Sequence, residues 1–169
     1  MLVVADSSPL IYLSRVGALH LLSALFDEVV VPRAVWHEAV ERRPSAPGID
    51  ALHQVRWLRV LDDPSLELDL GLDPGETAAI LLAESLRADL LLIDERVGRK
   101  VAQARGLAVR GTLGVLVQAR QLALLPALKP VLDALVAAGF RIAPALIREA
   151  LAHVGEGAEP ANATSTDRS

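Results

Sequence analysis

The stretch LDPGETAAILLAESLRADLLLIDERVGRKVAQARGLAVRG, residues 72–111, decides the fold class of this chain. It opens with Asp73 and Pro74, a pair typical of a helix N-terminus, and apolar residues then recur at helical spacing. An uninterrupted apolar run at 90–93 has the length and composition of a buried strand. A second helical pattern follows at 95–105. A helix, a buried strand and another helix in close succession predict a parallel α/β sheet.

The same alternation extends over the rest of the chain. Short apolar runs bounded by turn residues predict strands at 2–5, 29–31, 58–61, 90–93 and, more weakly, 107–110. Helices are predicted at 8–15, 18–25, 32–42 with Pro32 in the first turn, 49–55, 74–88, 95–105, 111–120, and from Pro126 and Pro144 onward. We therefore expect a three-layer α/β/α domain with a mostly parallel sheet of about five strands in the order 3-2-1-4-5.

Composition agrees with a single buried core. Of the 169 residues, 52% are hydrophobic and only 3% aromatic, so aliphatic side chains must build it. The absence of cysteine excludes a disulfide scaffold and thiolate-bound metal, and fits a reducing cytoplasm. No signal peptide or membrane-spanning run is recognisable, so we expect a cytoplasmic protein. Residues 1–154 are expected to form the domain, and 155–169, which lack periodicity, a disordered tail.

Acidic residues follow two of the predicted strands. Asp6 ends the first strand and Asp94 ends the fourth. In open α/β sheets, ligands bind beyond the carboxyl ends of the strands, at the point where the strand order reverses. If these two strands are neighbours, both carboxylates project into one cleft. The alternative for each is a cap on the helix that follows.

Two glutamates are further candidates for the same cleft. Glu76 lies in the first turn of the helix that precedes the fourth strand, so the crossover can bring it close; alternatively, it completes a capping box with Asp73. Glu38 lies on the more polar side of the predicted helix 32–42, and its alternative is a solvent-exposed helix face.

Carboxylates gathered in one place repel one another and resist ionisation unless cations neutralise them. Mg²⁺ or Mn²⁺ is the expected cofactor, held by Asp6, Glu76 and Asp94, because these ions prefer carboxylate oxygens and water. A site of this kind is suited to hydrolysing the phosphodiester bonds of nucleic acids. Water activated by the metal would attack the phosphorus atom without a covalent enzyme intermediate. The sequence leaves open whether one or two ions bind.

Other α/β classes fit less well. A dinucleotide-binding domain needs a glycine-rich turn after its first strand, where this chain has ADSSP, and no phosphate-binding Gly-Lys motif occurs. A receiver-like phosphoacceptor domain needs a lysine after the fifth strand, where Arg110 is followed by Gly111.

The chain resembles a PIN domain of the VapC-like toxin ribonuclease branch in five motifs. They occur in the order VVADSSPLIYLSRVG, VPRAVWHEAV, LDPGETAAILLA, LLIDERVGRKVAQARGLAVRGTLGVL and AAGFRIAP. The resemblance covers about 2–154. It implies a catalytic quartet of Asp6, Glu38, Glu76 and Asp94, with glutamate at the third position where aspartate is commoner. It also implies a metal-dependent endoribonuclease acting as the toxin of a type II toxin–antitoxin pair, with RNA as substrate, a homodimer and a small antitoxin as partners.

Polar and basic residues near these acids are candidate substrate contacts. They are Ser7, Ser8, Thr112, Arg96 and Arg99, and the alternatives are helix caps for the hydroxyls and a solvated helix face for the arginines. The net charge of -4 gives no overall basic signature for nucleic acid, so RNA contacts would depend on local basic residues.

A catalytically inert PIN-like module that acts through protein–protein interaction stays open, as does the role of helices 126–154 in capping the sheet or in forming the dimer and antitoxin surface.

Overall fold

The computed structural model of the chain describes residues 1–65 and 67–157. In these segments the strands are β1 (Leu2–Ala5), β2 (Glu28–Pro32), β3 (Leu58–Leu61), β4 (Leu90–Leu92) and β5 (Val109–Arg110). The helices are α1 (Ser7–Arg15), α2 (His20–Leu25), α3 (Arg33–Trp36), α4 (Ile49–Gln54), α5 (Pro74–Ser85), α6 (Arg96–Ala104), α7 (Thr112–Gln121), α8 (Lys129–Ala137) and α9 (Pro144–His153).

The strands form one parallel sheet in the order β3-β2-β1-β4-β5, which confirms the predicted fold class and strand order. The chain builds outward from β1 through β2 to β3, then returns to place β4 on the other side of β1. The gap between β1 and β4 is therefore the point where the strand order reverses. Ala5 lies opposite Leu92, and the Asp6 amide donates to the Leu92 carbonyl at 2.9 Å, so the two strands end side by side.

Helices cover both faces of this sheet. Val3, Val4 and Ala5 point alternately to the two faces, yet each is fully buried, as are Leu91 and Leu92 in the neighbouring strand. Helix α5 packs against β1, β2 and β4, and α3 packs against α5. Burial of these aliphatic strands on both faces fixes the register and, with it, the positions of the acids that follow them.

Two of the helices predicted to begin at a proline begin later. Pro126 lies in a bend, and α8 begins instead at Lys129, because the Glu156 carboxylate accepts the backbone N–H groups of Leu128 and Lys129 at 2.9 and 3.0 Å. Pro32 is the last residue of β2 and has an extended backbone with ψ of 155°, so α3 begins one residue later. Pro144 does open α9, as predicted.

The predicted helix 32–42 is α-helical only over its first turn. From His37 to Glu41 it widens into a π-helix, a rare form that often occurs at functional sites. Glu38 lies in this widened turn. Sequence periodicity does not reveal such a change, because the apolar positions Val35 and Val40 are buried in either geometry.

The folded segment continues to Glu156 at least, since its carboxylate also accepts from Arg120 Nε at 2.7 Å. The rest of the predicted tail, 158–169, lies outside the described residues. Among the helices that the structure describes, none is long and apolar enough to cross a bilayer.

Candidate active site

Asp6 stands at the carboxyl end of β1, at the gap between β1 and β4. Its side chain is only 4% exposed, and its Oδ1 has no hydrogen-bond partner within the described chain. Asp6 occupies the N-cap position of α1, but its carboxylate does not cap that helix. A buried carboxylate oxygen without a partner is costly, so a ligand that supplies positive charge or a donor would stabilise it.

The pKa of Asp6 is raised to about 8, first by burial and then by the negative charges of Glu76, Asp73 and Glu38. These carboxylates therefore lie close enough to act on one another. Crowding of this kind agrees with the predicted resistance to ionisation.

Glu76 projects from the first turn of α5 and is 7% exposed. Its backbone N–H is capped by the Asp73 carboxylate at 2.8 Å, as expected for a helix that starts with Asp-Pro. A Cβ on Gly98 would lie 3.1 Å from Glu76 Oε1, so the glycine lets α6 approach this carboxylate closely. Burial, and then the charge of Asp73, raise the pKa of Glu76 to about 7.

Glu38 reaches the same cleft from the π-helical turn. A Cβ on Gly75 would lie 2.7 Å from Glu38 Oε2, which places this carboxylate against the first turn of α5. Glycine at position 75 leaves room for this approach, and a larger side chain there would make the Glu38 carboxylate shift.

Asp94 follows β4, and both of its carboxylate oxygens accept a hydrogen bond. The Thr112 backbone N–H donates to Oδ1 and the Thr112 hydroxyl donates to Oδ2, each at 2.7 Å. The alternative that Asp94 caps the following helix is wrong, since Glu95 is the N-cap of α6. Thr112 is likewise not a cap: Gly111 precedes α7, and the fully buried Thr112 orients Asp94 instead.

The remaining predicted contacts are distributed around the cleft. Arg99 Nη1 and Asp94 Oδ1 both lie 2.8 Å from the point that a Cβ on Gly111 would occupy, so the guanidinium is beside the carboxylate. Arg96 is exposed at the start of α6. Ser7 is buried and Ser8 half-buried in the first turn of α1.

Comparison with known protein families identifies the family of this chain. The family model that matches residues 2–156 is described as a PIN domain. The chain belongs to the PIN domain family. PIN domains are generally nucleases, and those nucleases generally use divalent metals. No curated protein and no solved structure matches the chain.

A divalent cation suits the donors of this PIN domain. Asp6 and Glu76 are nearby buried carboxylates, and Asp6 Oδ1 is unpaired in the part of the chain that is described. No three acidic or histidine side chains there lie close enough to enclose an ion. Mg²⁺ is usually held by one or two carboxylates with several waters, so the pair fits this ion.

Two acids of the PIN cleft are not among the residues that the sequence predicts for the site. The sequence indicates only a helix cap at Asp73, yet its charge raises the pKa of both Asp6 and Glu76. The charge of Glu95 also raises the pKa of Glu76. The available signal is that both acids are close in sequence to Glu76 or Asp94.

Replacing Thr112 by valine keeps the shape but removes the hydroxyl, and it is expected to slow any nuclease activity of this PIN domain about tenfold. Asp94 Oδ2 would lose its buried donor, which also costs about 1–3 kcal/mol of stability. Cleavage rates and urea unfolding measure both effects. Thr112→Ser retains the hydroxyl and serves as the control; equal activity of the valine and serine variants would show that this bond does not orient Asp94.

Proposed function

We propose that this PIN domain is a metal-dependent endoribonuclease that hydrolyses RNA phosphodiester bonds with water. The observation that carries the proposal is the buried carboxylate oxygen of Asp6, which has no hydrogen-bond partner among the described residues and lies beside Glu76 at the point where the strand order reverses. Asp6, Glu38, Glu76 and Asp94 are the proposed catalytic residues.

Asp6 and Glu76 would hold Mg²⁺ or Mn²⁺, and Asp94 would complete the site from the neighbouring strand. When bound, the cation supplies positive charge that activates water and offsets charge on the attacked phosphate. The raised pKa values of Asp6 and Glu76 mean that the metal-free cleft binds protons instead, so protons and cations compete there.

Thr112 fixes the Asp94 carboxylate through two hydrogen bonds, which prevents it from turning away from the cleft. Arg99, half-buried beside Asp94, would contact a phosphate of the substrate. Glu38 lies at the far side of the cleft, against α5, where a carboxylate can bind a water or orient the substrate.

The resemblance to VapC-like toxins supports a finer proposal. In it the protein is the toxin of a type II pair, works in the cytoplasm as a homodimer and is inhibited by a small antitoxin. An antitoxin gene beside this one would support that role, and an isolated gene would argue against it.

We expect the purified protein to cleave RNA when Mg²⁺ or Mn²⁺ is present and to stop when a chelator is added. Labelled RNA incubated under both conditions and separated on a denaturing gel measures this directly. Equal cleavage in excess chelator would contradict the metal mechanism. No cleavage under any of these conditions would contradict the nuclease proposal and favour an inert, partner-binding module.

A further inference from the structure

A groove of about 720 Å³ runs from the acidic cleft between β5, α7 and α9. Asp94 and Arg99 are part of its lining. Apolar side chains also line it, among them Val117, Ile142 and Leu146. Its volume falls within the range of about 300–1,000 Å³ that is typical of small-molecule pockets. The groove is therefore large enough for one nucleotide and continuous with the proposed site of cleavage.

The charged side chains that line this groove are basic on balance, although the whole chain is acidic. Its charged lining consists of Arg99, Arg110 and Arg141 against Asp94 and Glu149, a balance of three positive to two negative groups, whereas the chain has a net charge of -4. Within 1–65 and 67–157, none of the three arginines forms an ion pair with an acid. Arg110 donates a hydrogen bond to the neutral side-chain oxygen of Gln118. The positive charges of all three guanidinium groups can therefore attract an anionic ligand.

Phe140, which lines the groove, is held in place by α1. Phe140 packs edge-on against Tyr12, with ring centroids 4.8 Å apart and an interplanar angle of 73°. Arg15 lies over the Tyr12 ring at 5.3 Å and donates to the Ala138 carbonyl at 3.3 Å. Because Phe140 is packed against α1, this part of the apolar lining is already formed before a ligand binds.

We propose that the groove binds one unpaired nucleotide of the substrate RNA, next to the phosphate that is cleaved. The base would lie against the apolar lining, and the flanking phosphates would contact Arg110 and Arg141. The inference rests on the proposed nuclease function, because Asp94 and Arg99 belong both to the lining of the groove and to the proposed site of cleavage. A base within a duplex is stacked and paired, so the groove selects single-stranded RNA.

The test measures binding of a fluorescent single-stranded RNA of mixed sequence by anisotropy, in chelator so that the RNA stays intact. Leu146→Asp adds a negative charge inside the groove, and Val136→Asp adds one on α8 outside it; both residues are 48% exposed, so the pair is matched. We expect Leu146→Asp to bind about tenfold more weakly and Val136→Asp to bind as wild type does. A duplex of the same sequence should bind equally to both.

A second pair of variants tests the phosphate contacts. Arg141→Ala should reduce the slope of log K against log salt by about 0.7, the value for one phosphate contact to a single strand. Arg148 lies on α9 outside the groove, and Arg148→Ala should leave the slope unchanged. Thermal unfolding of each variant shows that the fold is retained.

Each outcome separates the two claims. If wild type cleaves RNA but Leu146→Asp and Arg141→Ala bind it normally, the groove is not a nucleotide site and the nuclease function stands. Should the two variants lose binding while wild type never cleaves, the groove binds RNA and the nuclease proposal fails. Equal losses in Leu146→Asp and Val136→Asp would overturn the groove, because general charge repulsion would then account for the effect.

Discussion

Asp6→Asn is expected to reduce the rate of RNA cleavage by about a thousandfold or more while the domain stays folded. Asparagine keeps the shape of aspartate but replaces a charged oxygen with an amide. Asp6 Oδ1 has no partner in the described residues, so no structural hydrogen bond of that oxygen is lost. What is lost is the charge that would attract a cation to the gap between β1 and β4.

Single-turnover cleavage with excess Mg²⁺ or Mn²⁺ measures this effect. Asp133→Asn is the matched control, because Asp133 is exposed on α8 and pairs with Lys129 in the same helix, a contact of little energetic value. The control should cleave at the wild-type rate. Activity of Asp6→Asn within a few-fold of wild type would show that Asp6 is not catalytic.

Metal-free wild-type protein is expected to lose stability as pH rises from about 4 to about 8. The pKa of Asp6 is raised from 3.8 to about 8 and that of Glu76 from 4.5 to about 7, so over this interval the folded state binds protons that the unfolded state has released. Their contribution is fully present below the unfolded pKa and is lost as pH passes the folded pKa. Each pKa unit is worth about 1.4 kcal/mol, so the decline amounts to several kcal/mol.

Urea unfolding in chelator at several pH values measures this decline. Asp6→Asn lacks the carboxyl group with the larger of the two pKa shifts, so the stability of the variant should fall less with pH. At pH 8 the variant should be more stable than wild type. Glu156, whose pKa is lowered by the backbone N–H of Leu128 and by Arg120, is present in both proteins, so its effect on stability cancels in the comparison. Identical pH profiles for wild type and variant would contradict the burial of a carboxyl at position 6.

The strand order, and with it the pairing of the two strands that Asp6 and Asp94 follow, was predictable from the sequence. Continuous aliphatic runs with an acid at their carboxyl end are typical of buried parallel strands, and register follows once both faces are buried. The helix start at Lys129 was not predictable, because it depends on Glu156, which is distant in the chain and contacts it only in the fold.

The surroundings of the acids were also beyond sequence reasoning. Thr112 resembles an ordinary helix cap, and only the fold shows both of its donors directed at Asp94. The groove depends on arginines from separate elements, including Arg141 in a segment without regular structure. Periodicity locates elements, but it does not report which side chains of distant elements meet.

The most direct test of the central claim, that the carboxylate cluster holds a divalent cation, is a Mn²⁺ titration of wild type and Asp6→Asn followed by the thermal unfolding midpoint. A ligand at a hundred times its dissociation constant stabilises the folded state by about 2.7 kcal/mol. We predict that the midpoint of wild type rises by several degrees and saturates, while that of Asp6→Asn does not move. An equal rise in both proteins, or no rise in wild type at millimolar Mn²⁺, would contradict a metal site at Asp6.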